Sequence, residues 1–302
     1  MQPWYDGLGP GGLSRVRRAD KVWSVTTRAA VTRDTVVIEP AERRAAVLRL
    51  IRGARRRLAL TIFRCNDADV LDAVGAAVER GVEVDVLLTR RARGWRRRLD
   101  RLSLRLERMG VRVTRHGARA AKHHAKYAVA DRGPLLVASY NLTRKCFSRT
   151  CDFGVLTWDP TTVADAWRLF DADLARRRLP QQASQSSRLV IGPEGAAPAV
   201  QALLGDARRH IRILDHKLDD PRVKRLLRQK VRDGVRVEHL ATRIVGSRDA
   251  HGKMTIVDGR VALVGSLALS ASSLGLHREL SLLVYEPAAV RRLEAFFDAA
   301  TA

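Results

Sequence analysis

Residues 124–141 read HAKYAVADRGPLLVASYN, and residues 251–266 read HGKMTIVDGRVALVGS. Counted from its histidine, each segment has a lysine at +2, an aspartate at +7 and a serine at +15. An acidic residue follows at +28 in both copies, as Asp152 and Glu279. Polar positions that recur twice at identical spacing are a stronger signal than any single short motif. The chain therefore contains two copies of one unit, and both are predicted to contribute to one site.

Alternation along a strand predicts where the basic residues of each copy lie. Residues two apart in a β-strand share one face, so His124 is expected beside Lys126 and His251 beside Lys253. In each copy the imidazole and the ammonium group are then about 6–7 Å apart along the strand.

Two histidines and two lysines that converge on one site suit a phosphodiester substrate. One neutral imidazole can attack phosphorus and form a covalent phosphohistidine, while the other, protonated, donates a proton to the departing alkoxide. The ammonium groups of Lys126 and Lys253 stabilise negative charge on the phosphoryl oxygens. This set of residues requires no metal ion and no other cofactor. The three cysteines include no CxxC pair, so a zinc site is not indicated.

Each copy also predicts a hairpin after the strand. Asp131 and Asp258 begin the turns, and a second apolar run returns the chain to the level of the histidine. Short polar side chains lie there, which we expect to bind phosphate: Ser139, Asn141 and Ser266. The small residue before each serine allows the backbone to approach an anion closely. A carboxylate further downstream can bond Nδ1–H of an imidazole and fix its tautomer.

The rest of the chain repeats at an offset of 153 residues. Val36-Val37-Ile38-Glu39-Pro40 recurs as Leu189-Val190-Ile191-Gly192-Pro193, and Gly81-Val82-Glu83-Val84 recurs as Gly234-Val235-Arg236-Val237. In each copy a short strand, an amphipathic helix, a strand, a second helix and another strand follow one another. This alternation predicts an α/β architecture with two related halves.

The repeat and the composition predict the domain organisation. Residues 1–33 form an amino-terminal arm, 34–179 the first half with the His124 motif, 180–187 a polar linker, and 188–302 the second half with the His251 motif. An insertion distinguishes the halves, since 33 residues separate Arg90 from His124 and only 7 separate Arg243 from His251.

The insertion contains an amphipathic helix. Leucines recur in it at helical spacing, and the opposite face carries four arginines: Arg97, Arg101, Arg105 and Arg108. We expect this face to receive an anionic substrate or surface, with a solvated helix surface as the alternative.

Charge and hydropathy limit the class of protein. A content of 46% hydrophobic residues excludes a disordered polyelectrolyte, and a formal charge of +24 indicates an anionic partner. Residues 90–126 contain fourteen basic and two acidic residues, so the charge is concentrated in the segment that leads into the first motif. We see no signal peptide and no apolar stretch long enough to span a membrane. A cytoplasmic protein, peripheral at the membrane, is therefore expected.

The segments His124-x-Lys126-x4-Asp131 and His251-x-Lys253-x4-Asp258, each followed by a small residue and a serine, resemble the paired motifs of the phospholipase D superfamily. The resemblance extends from residue 34 to about residue 299. It implies two similar α/β halves, each a mixed sheet flanked by helices, related by a pseudo-twofold axis with the active site at their interface. Ala138 and Ala268 depart from it, because they replace the usual glycine and asparagine.

The resemblance also implies roles for individual residues. His124, Lys126, His251 and Lys253 would be catalytic, and Asp152 and Glu279 would orient the histidines, often across the interface. Asp131 and Asp258 would be structural. Because one chain carries both motifs, a monomer suffices and no protein partner is implied.

Three functions are compatible with these motifs. The first is a phospholipid headgroup enzyme, which hydrolyses or exchanges alcohols as phospholipase D or cardiolipin synthase does. The second is a metal-independent nuclease acting on DNA or RNA, and the third is a non-catalytic polyanion-binding module. The intact His–Lys sets disfavour the third, and the two-motif chain resembles the cardiolipin synthase and phospholipase D branch. We therefore expect an anionic phospholipid or membrane surface as the partner, with nucleic acid as the alternative.

Overall fold

The computed structural model describes residues 34–117, 121–177 and 188–301. The predicted arm at 1–33 and the predicted linker at 180–187 lie outside these ranges.

The first half alternates strands with helices. Its strands are β1 (Thr35–Val37), β2 (Arg57–Ile62), β3 (Glu83–Thr89), β4 (Arg112–His116), β5 (Tyr127–Ala130), β6 (Leu135–Ala138), β7 (Thr150–Cys151) and β8 (Gly154–Thr157). Its helices are α1 (Pro40–Gly53), α2 (Ala68–Glu79), α3 (Arg96–Arg108) and α4 (Pro160–Leu174).

The second half repeats this order in a shorter form. Its strands are β9 (Leu189–Gly192), β10 (His210–Leu214), β11 (Arg236–Leu240), β12 (Ile244–Val245), β13 (Arg248–Ala250), β14 (Met254–Val257), β15 (Val261–Gly265) and β16 (Glu279–Val284). Its helices are α5 (Ala196–Gly205), α6 (Pro221–Arg232), α7 (Ala271–Gly275) and α8 (Pro287–Thr301).

The two main sheets have the same strand order. The first runs β1-β8-β6-β5-β2-β3-β4, and the second runs β9-β16-β15-β14-β10-β11. Both are mixed, since β2, β3 and β4 are parallel, as are β10 and β11, while the other neighbours pair antiparallel. Within the two main sheets of the described residues, β4 alone has no counterpart, and together with α3 it comes from the insertion. The prediction of two similar mixed-sheet halves is therefore confirmed.

Helix starts follow from local sequence. Asp67, Asp159 and Asp220 cap α2, α4 and α6, because each carboxylate accepts a backbone N–H of the first turn. Glu39 and Glu42 form a reciprocal capping box at the start of α1. Proline in the first turn of α1, α4 and α6 fixes φ where no hydrogen bond is lost.

Three apolar layers hold the halves together. One lies between the first sheet and helices α1 to α3, and another lies between the second sheet and helices α5 and α6. The middle layer combines the inner faces of both sheets with α4 and α8, so that Val129 and Phe170 of the first half share a core with Ile256 and Phe297 of the second. The interface between the halves is therefore a hydrophobic core and not a loose contact. Every described helix is too short or too polar to serve as a transmembrane span.

Two aspartates lock equivalent corners of the halves. Asp131 and Asp258 occupy turns with φ of 47° and 55°. The Asp131 carboxylate accepts the backbone N–H groups of residues 55, 56 and 57, each at 2.9 Å. The Asp258 carboxylate accepts those of residues 208, 209 and 210 at 2.7–2.9 Å. Each aspartate thus holds its hairpin turn against the start of the neighbouring strand.

Candidate active site

Two histidine–carboxylate pairs cross the interface between the halves. Nδ1 of His124 lies 3.0 and 2.9 Å from the two carboxylate oxygens of Glu279. Nδ1 of His251 lies 2.9 Å from Oδ1 of Asp152. Each histidine is therefore paired with the acid of the other half. Its Nε2 atom remains available for a reacting group.

Backbone hydrogen bonds hold these pairs in the same way on both sides. The N–H of His124 donates to the carbonyl of Arg278 at 2.8 Å, and the N–H of His251 donates to the carbonyl of Cys151 at 3.1 Å. In both cases the acceptor residue comes directly before the acid that binds the imidazole. Strand β13 also pairs with β7 and joins the halves beside His251. The site is thus fixed by the chain itself on either side of the interface.

The two histidines lie outside the strands predicted for them. Strand β5 begins at Tyr127 and β14 at Met254, so each His-x-Lys segment is an extended lead-in to a strand. Each lysine also bonds the backbone of the histidine in its own motif. Nζ of Lys126 donates to the carbonyl of His124 at 2.8 Å, and Nζ of Lys253 donates to that of His251 at 2.7 Å. An ammonium group has three N–H donors, so each lysine still has N–H groups that can donate to an anion.

Asp152 is fully buried in a network of donors. Its Oδ1 accepts the hydroxyl of Ser139 at 2.7 Å, and its Oδ2 accepts the hydroxyl of Thr150 at 2.6 Å. Arg43, which is 0% exposed, places Nη1 3.5 Å from Oδ2 and donates from Nη2 to the carbonyl of Thr150 at 2.6 Å. A buried guanidinium therefore neutralises the acid that orients His251.

The surroundings of Glu279 differ from those of Asp152. The hydroxyl of Ser273 donates to Oε1 at 2.7 Å, and no arginine lies within ion-pair distance of this carboxylate among the described residues. The residue that corresponds to Arg43 at the repeat offset of 153 is Ala196. The two histidine–acid pairs are thus similar in geometry and different in charge.

The serines of the motifs are bonded within the protein, and their phosphate-binding role stays a prediction. Ser139 donates its hydroxyl hydrogen to Asp152 and accepts the N–H of Phe153 at 2.9 Å. Ser266 donates to the carbonyl of Leu280 at 3.3 Å and accepts its N–H at 3.1 Å. Both side chains are buried. A hydroxyl has one hydrogen to donate, and each of these hydrogens is already used within the protein.

Asn141 and Phe63 complete the first half of the site. Oδ1 of Asn141, an acceptor, is buried and has no hydrogen-bond partner among the described residues, so only the Nδ2 group of this amide could donate to a phosphate oxygen. The Phe63 ring meets the His124 ring edge to face at 4.6 Å, and Nζ of Lys126 lies 5.1 Å from the Phe63 ring centroid. Ala268, which stands in the second half where the resemblance places an asparagine, is buried and carries no polar side chain.

Sequence reasoning missed both Arg43 and Phe63. Neither carries a repeat signal, because the equivalent positions at offset 153 are Ala196 and His216. Phe63 could have been found from its place just after β2, at the end that the histidine strand reaches. Arg43 could not, since a buried arginine in a helix rich in arginines has no distinguishing spacing.

Burial and charge determine the protonation of the site. Burial lowers the pKa of His124 to about 3, although the Glu279 carboxylate raises it. The Asp152 carboxylate raises the pKa of His251, but burial and Lys253 lower it by more, so the net pKa is below its usual range. Burial opposes ionisation of Asp152 and Glu279, yet their histidine and hydroxyl partners lower each pKa to about 2. Both pairs therefore consist of a neutral imidazole and a carboxylate at neutral pH.

Lys126 responds to the same environment. Burial lowers its pKa to about 7, and the positive charge of Lys253 adds to the effect, while Glu279 opposes it. A bound phosphate would reverse this shift, because an adjacent negative charge favours the ammonium form.

The predicted arginine face does not join this cluster. Arg97, Arg101, Arg105 and Arg108 are exposed on α3, which packs against the outer side of the first sheet through Leu99, Leu102 and Leu106. Arg105 pairs with Asp72 of α2 at 3.1 Å, and among the described residues none of the four arginines bonds a residue of the site. Across 34–117, 121–177 and 188–301, no group of three His, Cys, Asp or Glu side chains is arranged to hold a metal ion.

Comparison with known proteins places this geometry in context. The family model described as cardiolipin synthase, PLD-like domain, matches residues 47–174 and 197–301. No curated protein sequence matches the chain.

Solved structures share the fold at low sequence identity. Polyphosphate kinase from Porphyromonas gingivalis aligns with a TM-score of 0.73 and 20% identity over 88% of this chain and 46% of its own. This chain thus spans about half the length of that kinase. Phosphatidylserine synthase from Haemophilus influenzae Rd KW20 aligns with a TM-score of 0.69 and 14% identity over 88% of this chain and 85% of its own.

Proposed function

The chain belongs to the phospholipase D superfamily, in the cardiolipin synthase-like family, and on that premise we propose that it cleaves or exchanges phospholipid headgroups through a phosphohistidine intermediate. The observation that carries the proposal is the pair of crossed contacts, His124 with Glu279 and His251 with Asp152. Two imidazoles held by opposite halves at one interface provide a nucleophile and a proton donor for the same phosphorus atom.

The crossed carboxylates prepare the histidines for these roles. Because Nδ1–H donates to a carboxylate, the lone pair of a neutral imidazole lies on Nε2, and Nε2 is the atom that attacks phosphorus. The bond from phosphorus to the headgroup oxygen breaks as the N–P bond forms. The negative charge of the bound phosphodiester favours protonation of the second imidazole, which takes up a proton from solution and gives it to that oxygen. It then removes a proton from the incoming water or alcohol, which displaces the histidine and releases the phosphatidyl product.

The remaining polar groups stabilise the charge that develops. Lys126 and Lys253 each keep donors beyond the one bonded to the histidine carbonyl. These ammonium groups and the Asn141 amide bind the equatorial oxygens, where negative charge grows in the transition state. The carboxylates stabilise the imidazolium that each histidine becomes in turn.

A phospholipid substrate has more support than nucleic acid. The matching family carries the description cardiolipin synthase, and one solved structure with a similar fold is a phosphatidylserine synthase. The formal charge of +24 suits an anionic bilayer surface. It would suit a nucleic acid backbone equally, so the substrate is decided by experiment.

In the test, the purified protein is incubated in parallel with phosphatidylglycerol vesicles and with plasmid DNA. EDTA is present throughout. We expect released headgroup or cardiolipin from the vesicles and intact plasmid. Nicked plasmid with unchanged lipid would replace the lipid proposal with a nuclease. No turnover of either substrate would favour a non-catalytic polyanion-binding module.

Histidine variants test the mechanism. His124→Ala and His251→Ala should each lower turnover by a factor of about 10³ or more while the fold is retained. His210→Ala is the matched control, because His210 lies at the opposite end of β10 from the site and contacts Glu294. Activity that survives both single changes would refute the assigned mechanism.

A further inference from the structure

The chain segment that contains His124 presents side chains on the side away from the catalytic site as well. Residues 122–124 run beside residues 277–279, with His123 opposite Arg278. Neighbouring side chains on an extended segment point to opposite sides. His124 and Glu279 therefore meet on the catalytic side, while His123 and Arg278 both contact Asp173 on the other side, at 3.2 and 3.0 Å.

A cleft of about 540 Å³ lies on this second side. Both halves line it. The end of β4, residues 121–123 and the end of α4 with residues 176–177 come from the first half, and residues 193–194, 275–276 and 278 come from the second. Its volume is in the range of small-molecule sites, and its position between two halves is one where such sites are common.

The lining of the cleft is strongly basic. Six basic side chains line it: Arg90, Arg115, Lys122, Arg176, Arg177 and Arg278. The acidic ones, Asp173 and Glu194, are both engaged by Arg278. Within the described part of the chain, the side chains of Arg90, Lys122, Arg176 and Arg177 form no hydrogen bond or ion pair. Positive charge is therefore in excess at this cleft and is not neutralised by the residues that the structure describes.

Buried nitrogen atoms without partners accumulate in the same wall. Nδ1 of His116, Nδ1 of His123, Nε of Arg115 and Nε of Arg278 are buried, and none has a hydrogen-bond partner among the described residues. His123 is 1% exposed and Arg278 is 12% exposed. Because these four atoms are buried, they shape the wall of the cleft and do not themselves contact a ligand; the groups free to bind one are the exposed cations without partners.

We propose that this cleft is a second phosphate-binding site, distinct from the catalytic centre, which takes a phosphate group from solution or from a lipid headgroup. Guanidinium groups bind phosphate oxygens in bidentate fashion and suit an exposed cleft of this kind. Arg176 and Arg177, just after α4, supply two of the unpaired cations, and Lys122 and Arg90 supply the other two. The site requires no catalytic activity, so it stands independently of the proposed reaction.

Isothermal titration of the full chain with pyrophosphate tests the proposal. We expect two binding events in the wild-type protein, one at the catalytic centre and one at the cleft. Arg176→Gln/Arg177→Gln should weaken one event at least tenfold and leave the other, together with lipid turnover, unchanged. Lys122→Gln should weaken the same event. An unchanged second event in both variants would overturn the assignment.

The control removes equal charge elsewhere. The control variant Arg97→Gln/Arg101→Gln changes two residues on the exposed face of α3. It should leave both binding events unchanged. Equal weakening in this variant would show attraction to net charge alone and would also overturn the proposal. Competition with phosphatidylglycerol vesicles then separates the sources. If the vesicles displace pyrophosphate from the cleft, the natural ligand is a lipid headgroup. If pyrophosphate stays bound, the natural ligand is a soluble phosphate.

Discussion

Asp152 belongs to the first half of the chain, and its Oδ1 lies 2.9 Å from Nδ1 of His251 in the second half. The equivalent contact joins Glu279 to His124 at 2.9 Å. Each acid therefore acts on a histidine 99 or 155 residues away in sequence. Neither half alone can assemble an oriented imidazole.

This crossing predicts how pH will affect turnover. Asp152 raises the pKa of His251, and Glu279 raises that of His124. Asp152→Asn should therefore lower the pKa of His251, and Glu279→Gln should lower that of His124. If the affected histidine is the proton donor, the alkaline limb of the kcat/KM profile moves to lower pH; if it is the nucleophile, the acid limb does.

Measurement of kcat/KM against pH for both variants thus assigns the two roles. We expect each variant to move a different limb and to leave the other limb in place. The same limb moving in both variants would contradict a division of labour between the histidines.

Arg43 should influence the His251 pair and not the His124 pair. Removing its charge strengthens the field of Asp152 at His251, so Arg43→Met should move the limb assigned to His251 to higher pH, opposite to Asp152→Asn. It should also destabilise the protein by about 3 kcal/mol, because it leaves a buried carboxylate without its cation. Urea unfolding checks the second effect. Arg44→Met is the neighbouring control and should cost about 1 kcal/mol or less, since Arg44 is 38% exposed.

The corner aspartates predict a pH-dependent contribution to stability. Burial raises the pKa of Asp131, but three backbone N–H donors lower it to a net value below its usual range, and Asp258 behaves alike. The stabilisation is therefore present above the unfolded-state pKa of about 3.9 and is lost as pH falls through the folded value. Asp131→Ala should lower the free energy of unfolding at pH 7 by about 1–3 kcal/mol.

Urea unfolding at pH 7 and below pH 4 measures this difference. The gap between wild type and Asp131→Ala should shrink at the lower pH. Asp72→Ala, which removes one exposed ion pair with Arg105, should cost about 1 kcal/mol or less at either pH. A gap that grows on acidification would contradict the assigned role.

The arginine face of α3 is predicted to bind an anionic surface. Replacing Arg97, Arg101, Arg105 and Arg108 with Gln should lower affinity for phosphatidylglycerol vesicles at least tenfold, because each basic residue near such a surface contributes about 1 kcal/mol. Co-sedimentation at two salt concentrations measures it. In the control variant, Arg225 and Arg228 of α6, which belong to the second half, are replaced with Gln. Unchanged vesicle affinity in the α3 variant would leave that face as a solvated helix surface.

Sequence periodicity predicted the sheets because it reports local burial. The offsets of 153 and 127 residues identified equivalent strands, and the extra helix followed from leucine spacing between Arg90 and His124. The bonds around Asp152 were not accessible in this way. Arg43, Thr150 and Ser139 reach that carboxylate from separate elements, and only packing of the whole half brings them together. The internal bonds of the motif serines were hidden from the sequence for the same reason.

The small residue before each motif serine also has a role that spacing did not reveal. Gly265 pairs with Ser281 on the next strand, and Ala138 pairs with Gly154. At the offset of 127, Ala138 corresponds to Gly265 and Gly154 to Ser281. Each pair therefore contains one glycine. In the second half it lies on the motif strand, as Gly265, and in the first half it lies on the neighbouring strand, as Gly154. The substitution of alanine for the usual glycine at position 138 is therefore matched by a glycine across the sheet.

This exchange predicts a compensating pair of mutations. A Cβ at position 265 would lie 2.4 Å from the Leu280 carbonyl oxygen and 2.5 Å from both Cα and Oγ of Ser281, so Gly265→Ala should destabilise the protein by about 1–3 kcal/mol. Adding Ser281→Gly relieves only the contact with the side chain and removes the bond that this hydroxyl accepts from the Leu267 N–H, so it should restore only part of that loss. Gly53→Ala, where nothing lies within 4 Å of the added Cβ, should change stability by less than about 1 kcal/mol. Thermal and urea unfolding of the two single variants and the double variant give the coupling free energy. Strictly additive effects would show that the two positions do not share this space, because a shared steric contact must appear as non-additivity.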